Sequence, residues 1–213
     1  VAADKFTDAA TNDNSASDQF NWTFDSVVPT VTNVTSTKAD GTYKAEEVIG
    51  ITITFSEVVN VTGTPQITLE TGGTDAVVDY STGTTTNTLT FNYTVAAGHT
   101  SADLDYVATS SLALNSGTIK DAGLNVATLT LASPAASGSL GANKALVIDN
   151  TAPTVTAVTS TKADGTYKQG VLIPITVTFS EVVNVTGTPQ ITLETGGTDA
   201  VVNYTSGTGS DTL

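Results

Sequence analysis

Ile49-Gly50-Ile51-Thr52-Ile53-Thr54-Phe55-Ser56 alternates large apolar residues with small or polar ones at a period of two. A strand sends successive side chains to opposite faces, so this octet reads as a strand with one face in a core and the other toward water. The pattern recurs outward from it. Val31 and Val34 within the Thr-rich stretch 30–37, then Ile67 and Leu69, then Val77, Val78 and Tyr80, then Leu89, Phe91, Tyr93 and Val95 read as further strands. Stretches 106–114, 125–131 and 144–148 complete the unit, and Thr71-Gly-Gly-Thr74 punctuates it as a turn. No stretch carries a helical stripe, and β-branched residues dominate. The expected class is all-β, an antiparallel sandwich of about seven or eight strands.

The strands belong to a repeat. Residues 28–89 and 152–213 are related by an offset of 124, with 48 of 62 positions identical, and 54–78 recurs unchanged as 178–202. A fixed period of this length marks a tandem array of folded units. It divides the chain into 1–26, the C-terminal strands of a preceding domain; 27–150, a complete domain; and 151–213, the N-terminal half of a following one. The expectation is a window from a longer polypeptide. Phe6-Thr-Asp-Ala-Ala10 and Gln19-Phe-Asn-Trp-Thr-Phe-Asp25 read as the last two strands of the preceding domain, with Trp22 toward its core. The links Asp25-Ser-Val-Val-Pro29 and Asp149-Asn-Thr-Ala-Pro153 are short, which predicts neighbours held in a fairly fixed relation, as an extended rod.

Composition narrows the function classes. Seven Lys, no Arg and 21 acidic residues give a net charge of −14. Phosphate recognition needs a cationic footprint, so nucleic acid is a poor partner, and anionic membrane surfaces are disfavoured on the same ground. The charge attracts cations and keeps an array soluble. Absence of Cys excludes disulfides and thiolate metal sites. No apolar run reaches the length of a membrane-spanning helix.

Three stretches carry a resemblance: Val155-Thr with Ser160-Thr-Lys-Ala-Asp-Gly-Thr-Tyr-Lys168, Phe179-Ser-Glu-Val-Val183 with Gly187-Thr-Pro-Gln-Ile-Thr-Leu193, and the link Asp149-Asn-Thr-Ala-Pro153. Together they resemble bacterial Ig-like repeats of giant cell-surface adhesins, biofilm proteins and swimming-associated surface proteins. Residues 1–26 look like the end of another bacterial Ig-like subtype. The resemblance covers essentially the whole chain. It implies tandem Ig-like sandwiches, an extracellular or bacterial cell-surface location, and neighbouring Ig-like domains of the same chain, or other copies of the protein, as partners.

Strand alternation sorts the acidic loops into two ends. Glu57 and Asp121 fall at the end where the first strand starts. Asp40, Asp75, Asp103 and Asp105 fall at the other, with Asp149 leaving from there. In a tandem rod, Asp25 then faces Glu57 and Asp121, while Asp149, with Asp103 or Asp105, faces Glu181. Carboxylates gathered across a short link repel unless a cation sits between them, and Ca²⁺ accepts such oxygen ligands in loose geometry. Related adhesin rods bind calcium at these junctions, and the resemblance implies the same for Asp25, Glu57, Asp121, Asp149 and Glu181. The alternative is that these residues cap turns and are solvated. Related repeats read Asp-Ala-Ala-Gly-Asn where this chain has Asp121-Ala-Gly-Leu-Asn125 and Asp8-Ala-Ala-Thr-Asn12.

Other candidates are weaker. Asp40-Gly41 and Asp164-Gly165 are hairpin-turn signals. His99, the only histidine, reads as a solvent-exposed loop residue without a partner. A triad needs a histidine base beside a nucleophile, and a glycosidase pair needs a cleft for a sugar; neither arrangement is legible here. The expectation is a non-enzymatic spacer of an adhesin or biofilm stalk. The alternatives are a subunit of a filament, sheath or surface layer, and a glycan-binding module. The two copies differ mainly at 45–48 and 81–87, and agreement in most loops favours spacer or lattice over recognition.

Overall fold

The computed structural model describes residues 2–16 and 23–213. The chain forms two compact units, Val1–Asn150 and Thr151–Leu213. The expectation for Trp22, and most of the strand expected around it, lies outside the described residues.

The first unit is all-β apart from one short helix. Its elements are β1 (Val31–Ser36), β2 (Gly41–Tyr43), β3 (Val48–Thr62), β4 (Gln66–Leu69), β5 (Ala76–Thr82), β6 (Thr86–Thr94), β7 (Leu112–Ala113), β8 (Thr118–Lys120), α1 (Leu140–Asn143) and β9 (Leu146–Ile148). Antiparallel pairing runs β1-β3-β6-β5-β4-β7, with β8 on the far part of β3. The sheet curls around one core in a β-sandwich-like arrangement. The octet 49–56 lies in β3, and Ile49, Ile51, Ile53 and Phe55 are all at most 1% exposed. Alternating residues of the paired strands complete the core: Val34, Ile67, Leu69, Leu89, Phe91 and Tyr93. Their removal from water is the main stabilising term of such a unit.

Four expectations are corrected. The strand through Phe55 does not turn at Ser56-Glu57 but continues to Thr62. Between the pairs Thr54↔Thr88 and Val59↔Thr86 it uses five steps where β6 uses two, so it bulges and changes partners from β6 to β8. Asp40-Gly41 is not a hairpin turn. The chain leaves β1, and β2 pairs with β9 in parallel, the one parallel strand pair among the described residues. The stretches 106–114 and 125–131 contribute only β7 and isolated bridges at Tyr106, Val126 and Thr128, while β8 forms between them, where no strand is expected. Residues 140–143 form α1, capped by Ser139, whose hydroxyl accepts from Ala142 N at 3.2 Å.

The β5–β6 turn shows why Tyr80, Gly83 and Thr84 recur as Tyr204, Gly207 and Thr208 while the residues around them change. Gly83 has φ 116°, and a Cβ there would lie 2.1 Å from Thr88 O. Only glycine fits. Tyr80 OH accepts from Thr84 N at 2.7 Å and closes the turn.

The second unit contains β10 (Val155–Ser160), β11 (Ile175–Val183), β12 (Gln190–Leu193), β13 (Ala200–Asn203) and β14 (Ser210–Thr212). Its registers are those of the first unit moved by 124 residues: Val158↔Val177 repeats Val34↔Ile53, and Thr178↔Thr212 repeats Thr54↔Thr88. The bulge recurs between Thr178 and Val183. Near-identical sequence therefore forms the same local pairings in both units.

Candidate metal centre

The bulge in β3 places Glu57. It follows Ser56, whose N–H donates to Thr30 O at 2.8 Å and whose hydroxyl accepts from Thr30 N at 3.1 Å. Bulges re-aim side chains, and Glu57 is half-buried with Oε1 shielded from solvent and without a hydrogen-bond partner. Glu181, its equivalent in the second unit, has the same buried, unpartnered Oε1. The shielding is thus set locally by the repeated Phe-Ser-Glu-Val-Val.

Asp121 is held by a ring of hydrogen bonds. Its Oδ1 accepts from Asn125 N at 2.8 Å and its Oδ2 from Asn125 Nδ2 at 2.7 Å. Its N–H donates to Asn125 O at 3.2 Å, and the bridge Lys120↔Val126 closes the base of the loop. Asp121 is 2% exposed. Asn125 Nδ2 also donates to Asp25 O at 3.2 Å, tying the segment that enters the domain to this loop. Asp25 Oδ1 accepts from Val27 N at 3.0 Å. A Cβ on Gly123 would lie 3.2 Å from Asp25 Cβ and 3.3 Å from Asp121 Oδ1, so this close approach favours glycine.

Asp25, Glu57 and Asp121 each bring one carboxylate oxygen into a group in which these atoms all lie within 4.8 Å of one another. Desolvation, then the charges of Asp25 and Asp121, hold the Glu57 carboxyl above its ordinary range. The two ion pairs among the described residues, Lys38–Glu47 and Lys144–Asp40, involve none of the three.

The other expected site residues lie elsewhere. Asp105 is buried: Oδ1 accepts from Tyr106 N and Oδ2 from Ala135 N, each at 2.9 Å, so it anchors the loop before α1. Asp103 is exposed, its Oδ2 3.4 Å from where a Cβ on Gly141 would lie. Asp149 belongs to the first unit, where its N–H donates to Tyr43 O at 3.0 Å, and Glu181 belongs to the second.

His99 is a correction. It is half-buried, stacks on Tyr93 with ring centres 5.8 Å apart, and its Nδ1 accepts from Tyr93 OH at 2.8 Å and from Ala96 N at 3.3 Å. Asn150 fastens this loop, donating from Nδ2 to Ala96 O and His99 O while Oδ1 accepts from Ala45 N.

One relation was visible in sequence only as a shared spacing. Asp8 and Asn12 reproduce the ring of Asp121 and Asn125. Asp8 Oδ1 accepts from Asn12 N at 3.0 Å and Oδ2 from Asn12 Nδ2 at 3.0 Å, and the bridge Thr7↔Asp13 closes the base. The fourth residue is left-handed in both, Thr11 at φ 67° and Leu124 at φ 70°. The Asn12 side chain, with backbone donors, holds the Asp8 carboxyl below its ordinary range. Asp-x-x-x-Asn is the signal for this loop.

No family model, curated protein sequence or solved structure matches the chain. No helix among the described residues is long and apolar enough to cross a membrane.

Proposed function

We propose that the chain is a structural repeat segment of a large secreted or cell-surface protein, built of tandem Ig-like sandwiches and stiffened by calcium where one domain is entered from the last. The observation that supports this reading is the convergence of Asp25, Glu57 and Asp121 at the point of entry. Calcium suits a set of hard carboxylate oxygens and tolerates irregular geometry. The fit is favourable on two counts. Glu57 Oε1 has no hydrogen-bond partner, and each Asp121 oxygen accepts from Asn125 yet retains a further lone pair. A bound cation would offset the repulsion among the three acids and couple the link to the domain body. Each domain would extend a rod by roughly 40 Å, from strands of about 8–10 residues at ~3.3 Å each plus loops.

Calorimetric titration of Ca²⁺ into the chain, with melting in calcium and in chelator, tests the reading. Heat of binding and a chelator-sensitive melting temperature support it; no heat and no chelator effect would sink it.

A second reading, lateral packing in a filament or layer, has one observation in its favour. Exposed valines recur at equivalent places, Val58 with Val182 and Val77 with Val201, all more than half exposed. Small-angle scattering separates the two: length rising with domain number supports the spacer, and concentration-dependent lateral assembly supports the lattice.

A further inference from the structure

The hydrogen bonds of His99 specify one form of its ring. Ala96 N lies 3.3 Å from Nδ1, and a backbone amide can only donate, so Nδ1 carries a lone pair. The ring is therefore neutral with its proton on Nε2, and Tyr93 OH, 2.8 Å from Nδ1, is the donor of that bond. Burial keeps the Tyr93 proton in place, pushing its pKa up to about 12. The two rings stack with their planes 18° apart.

The loop closed by these bonds holds the chain at its exit from the first unit. Ile148 exchanges both backbone bonds with Ser101, at 2.8 and 2.9 Å, and Asp149 N–H donates to Tyr43 O at 3.0 Å. Asn150 is fastened by its side chain. Its Nδ2 donates to Ala96 O at 3.0 Å and to His99 O at 2.8 Å, and its Oδ1 accepts from Ala45 N. Both carbonyls belong to the turn that the His99 ring closes. Protonation at Nδ1 converts that acceptor into a donor. Tyr93 OH can rotate to accept from it, but Ala96 N–H cannot, and two donors then oppose each other. Relief requires Ala96 and the His99 ring to separate, which displaces the carbonyls that hold Asn150. The elements packed on this loop carry Lys44, Glu46 and Glu47 between β2 and β3, with Lys38 paired to Glu47. Glu70 and Asp75 flank the turn at 71–74, and Asp103 and Asp149 flank the Ser101↔Ile148 bridge. Acids outnumber lysines among these groups, a field that draws protons to the ring.

We propose that Tyr93, His99 and Asn150 form a proton-sensitive latch: the neutral ring fixes the chain where it leaves the first unit, and protonation of His99 at Nδ1 releases it. The sign follows from the bonds. The closed loop needs the Nδ1 lone pair and so binds the neutral ring, which means that acidification favours the open loop. Histidine is the side chain whose charge changes in mildly acidic water, and His99 is the only one in the chain. The bonds at Ile148 and Asp149 do not involve the ring, so release frees Asn150 and leaves the domain folded. The latch uses none of the three acids of the candidate metal centre.

The experiment is nuclear magnetic resonance of the whole chain in chelator, from about pH 8 to about pH 5, the span in which histidine changes charge. Ring nitrogen shifts report the tautomer and protonation of His99, and amide exchange, corrected for its intrinsic pH dependence, reports the latch. The expected result is a ring protonated on Nε2 at the upper pH. As the ring takes up its second proton, protection of the Ala45 and Ala96 amides should fall by roughly tenfold or more, while the paired core residues Ile51 and Phe91 keep theirs. His99→Gln retains a side-chain acceptor but cannot titrate, so it should abolish the pH response. Asn150→Ala should leave the Ala45 amide poorly protected at every pH while His99 still titrates. Four results overturn the proposal: a ring protonated on Nδ1 at the upper pH; Ala45 and Ala96 protection that does not follow the His99 titration; the same pH response in His99→Gln; or an equal loss at Ile51 and Phe91, which would mark general acid unfolding.

Discussion

Asn125 donates its side-chain amide to Asp121 Oδ2 at 2.7 Å and to Asp25 O at 3.2 Å. One residue thus fixes a buried aspartate and fastens the incoming chain beside it. Asn125→Ala removes both bonds and leaves a buried carboxylate short of donors. The expected loss is about 1–3 kcal/mol of unfolding free energy, read from urea denaturation in chelator. A neutral result would mean that the loop is held by its backbone alone.

Glu57 sets a pH dependence whose sign is fixed by its raised pKa. Folding favours its protonated form, so its contribution is fully present below the ordinary glutamate value of 4.5 and is lost as pH rises through the higher folded value. In chelator, Glu57→Gln should therefore melt above the parent by a margin that grows from acid to neutral pH. If calcium binds, the same variant should gain less from the metal than the parent does. Melting curves across pH, with and without calcium, check both; a margin that shrinks toward neutrality would contradict the assigned environment.

Thr85 and Leu124, both exposed, hold a β-branched and a bulky side chain in the left-handed region. Thr85 has φ 66°, and its counterpart in the second copy is Gly209 at φ 80°. Leu124 has φ 70° and is 72% exposed. Thr85→Gly and Leu124→Gly should each stabilise the chain by about 1 kcal/mol, since an L side chain costs about that much or more in this region. Thermal melting of each single variant gives the answer, and a fall in melting temperature would show the turns to be held by side-chain contacts instead.

Burial pushes Tyr93 and Tyr106 up to about 12, with the Asp105 charge adding to the effect at Tyr106. Tyr106 OH donates to Ala132 O at 2.6 Å and Tyr93 OH to His99 Nδ1. Their neutral forms favour the fold, so that stability is present below pH 10 and is lost as pH climbs toward 12. Ultraviolet titration should show a late phase that Tyr93→Phe and Tyr106→Phe each reduce. Tyr106→Phe should also cost about 1–2 kcal/mol by leaving Ala132 O unpaired.

Much of this was legible in the chain. The alternation at 49–56 placed β3 and its buried face, strand parity put Glu57 and Asp121 at one end, and the tandem-rod expectation set Asp25 against them, although the parity count took Ser56-Glu57 for a turn that β3 runs through. The bulge was not legible: Ser56-Glu57 reads as a turn because a polar pair interrupts the apolar row, yet Val59 returns to the same core face. Asp40-Gly41 reads as a hairpin because turn chemistry is local, whereas the parallel partner of β2 lies about a hundred residues away. His99 reads as solvated because its partner, Tyr93, is placed by the strand that carries it.

Gly41-Thr-Tyr43 and Gly165-Thr-Tyr167 are the same tripeptide, and only the first is a strand. Residues 60–62 and 184–186 share a sequence, and only the first is paired. The alternation, the glycine turns and the registers of β10, β11 and β14 follow from the residue order alone, because each depends on residues within one half-repeat. Tertiary contacts set whether 41–43 and 60–62 become strands and which acids meet. A short segment gains too little from its own propensity to hold a strand, and that deficit is made up only by distant residues that pair with its backbone and cover its apolar face.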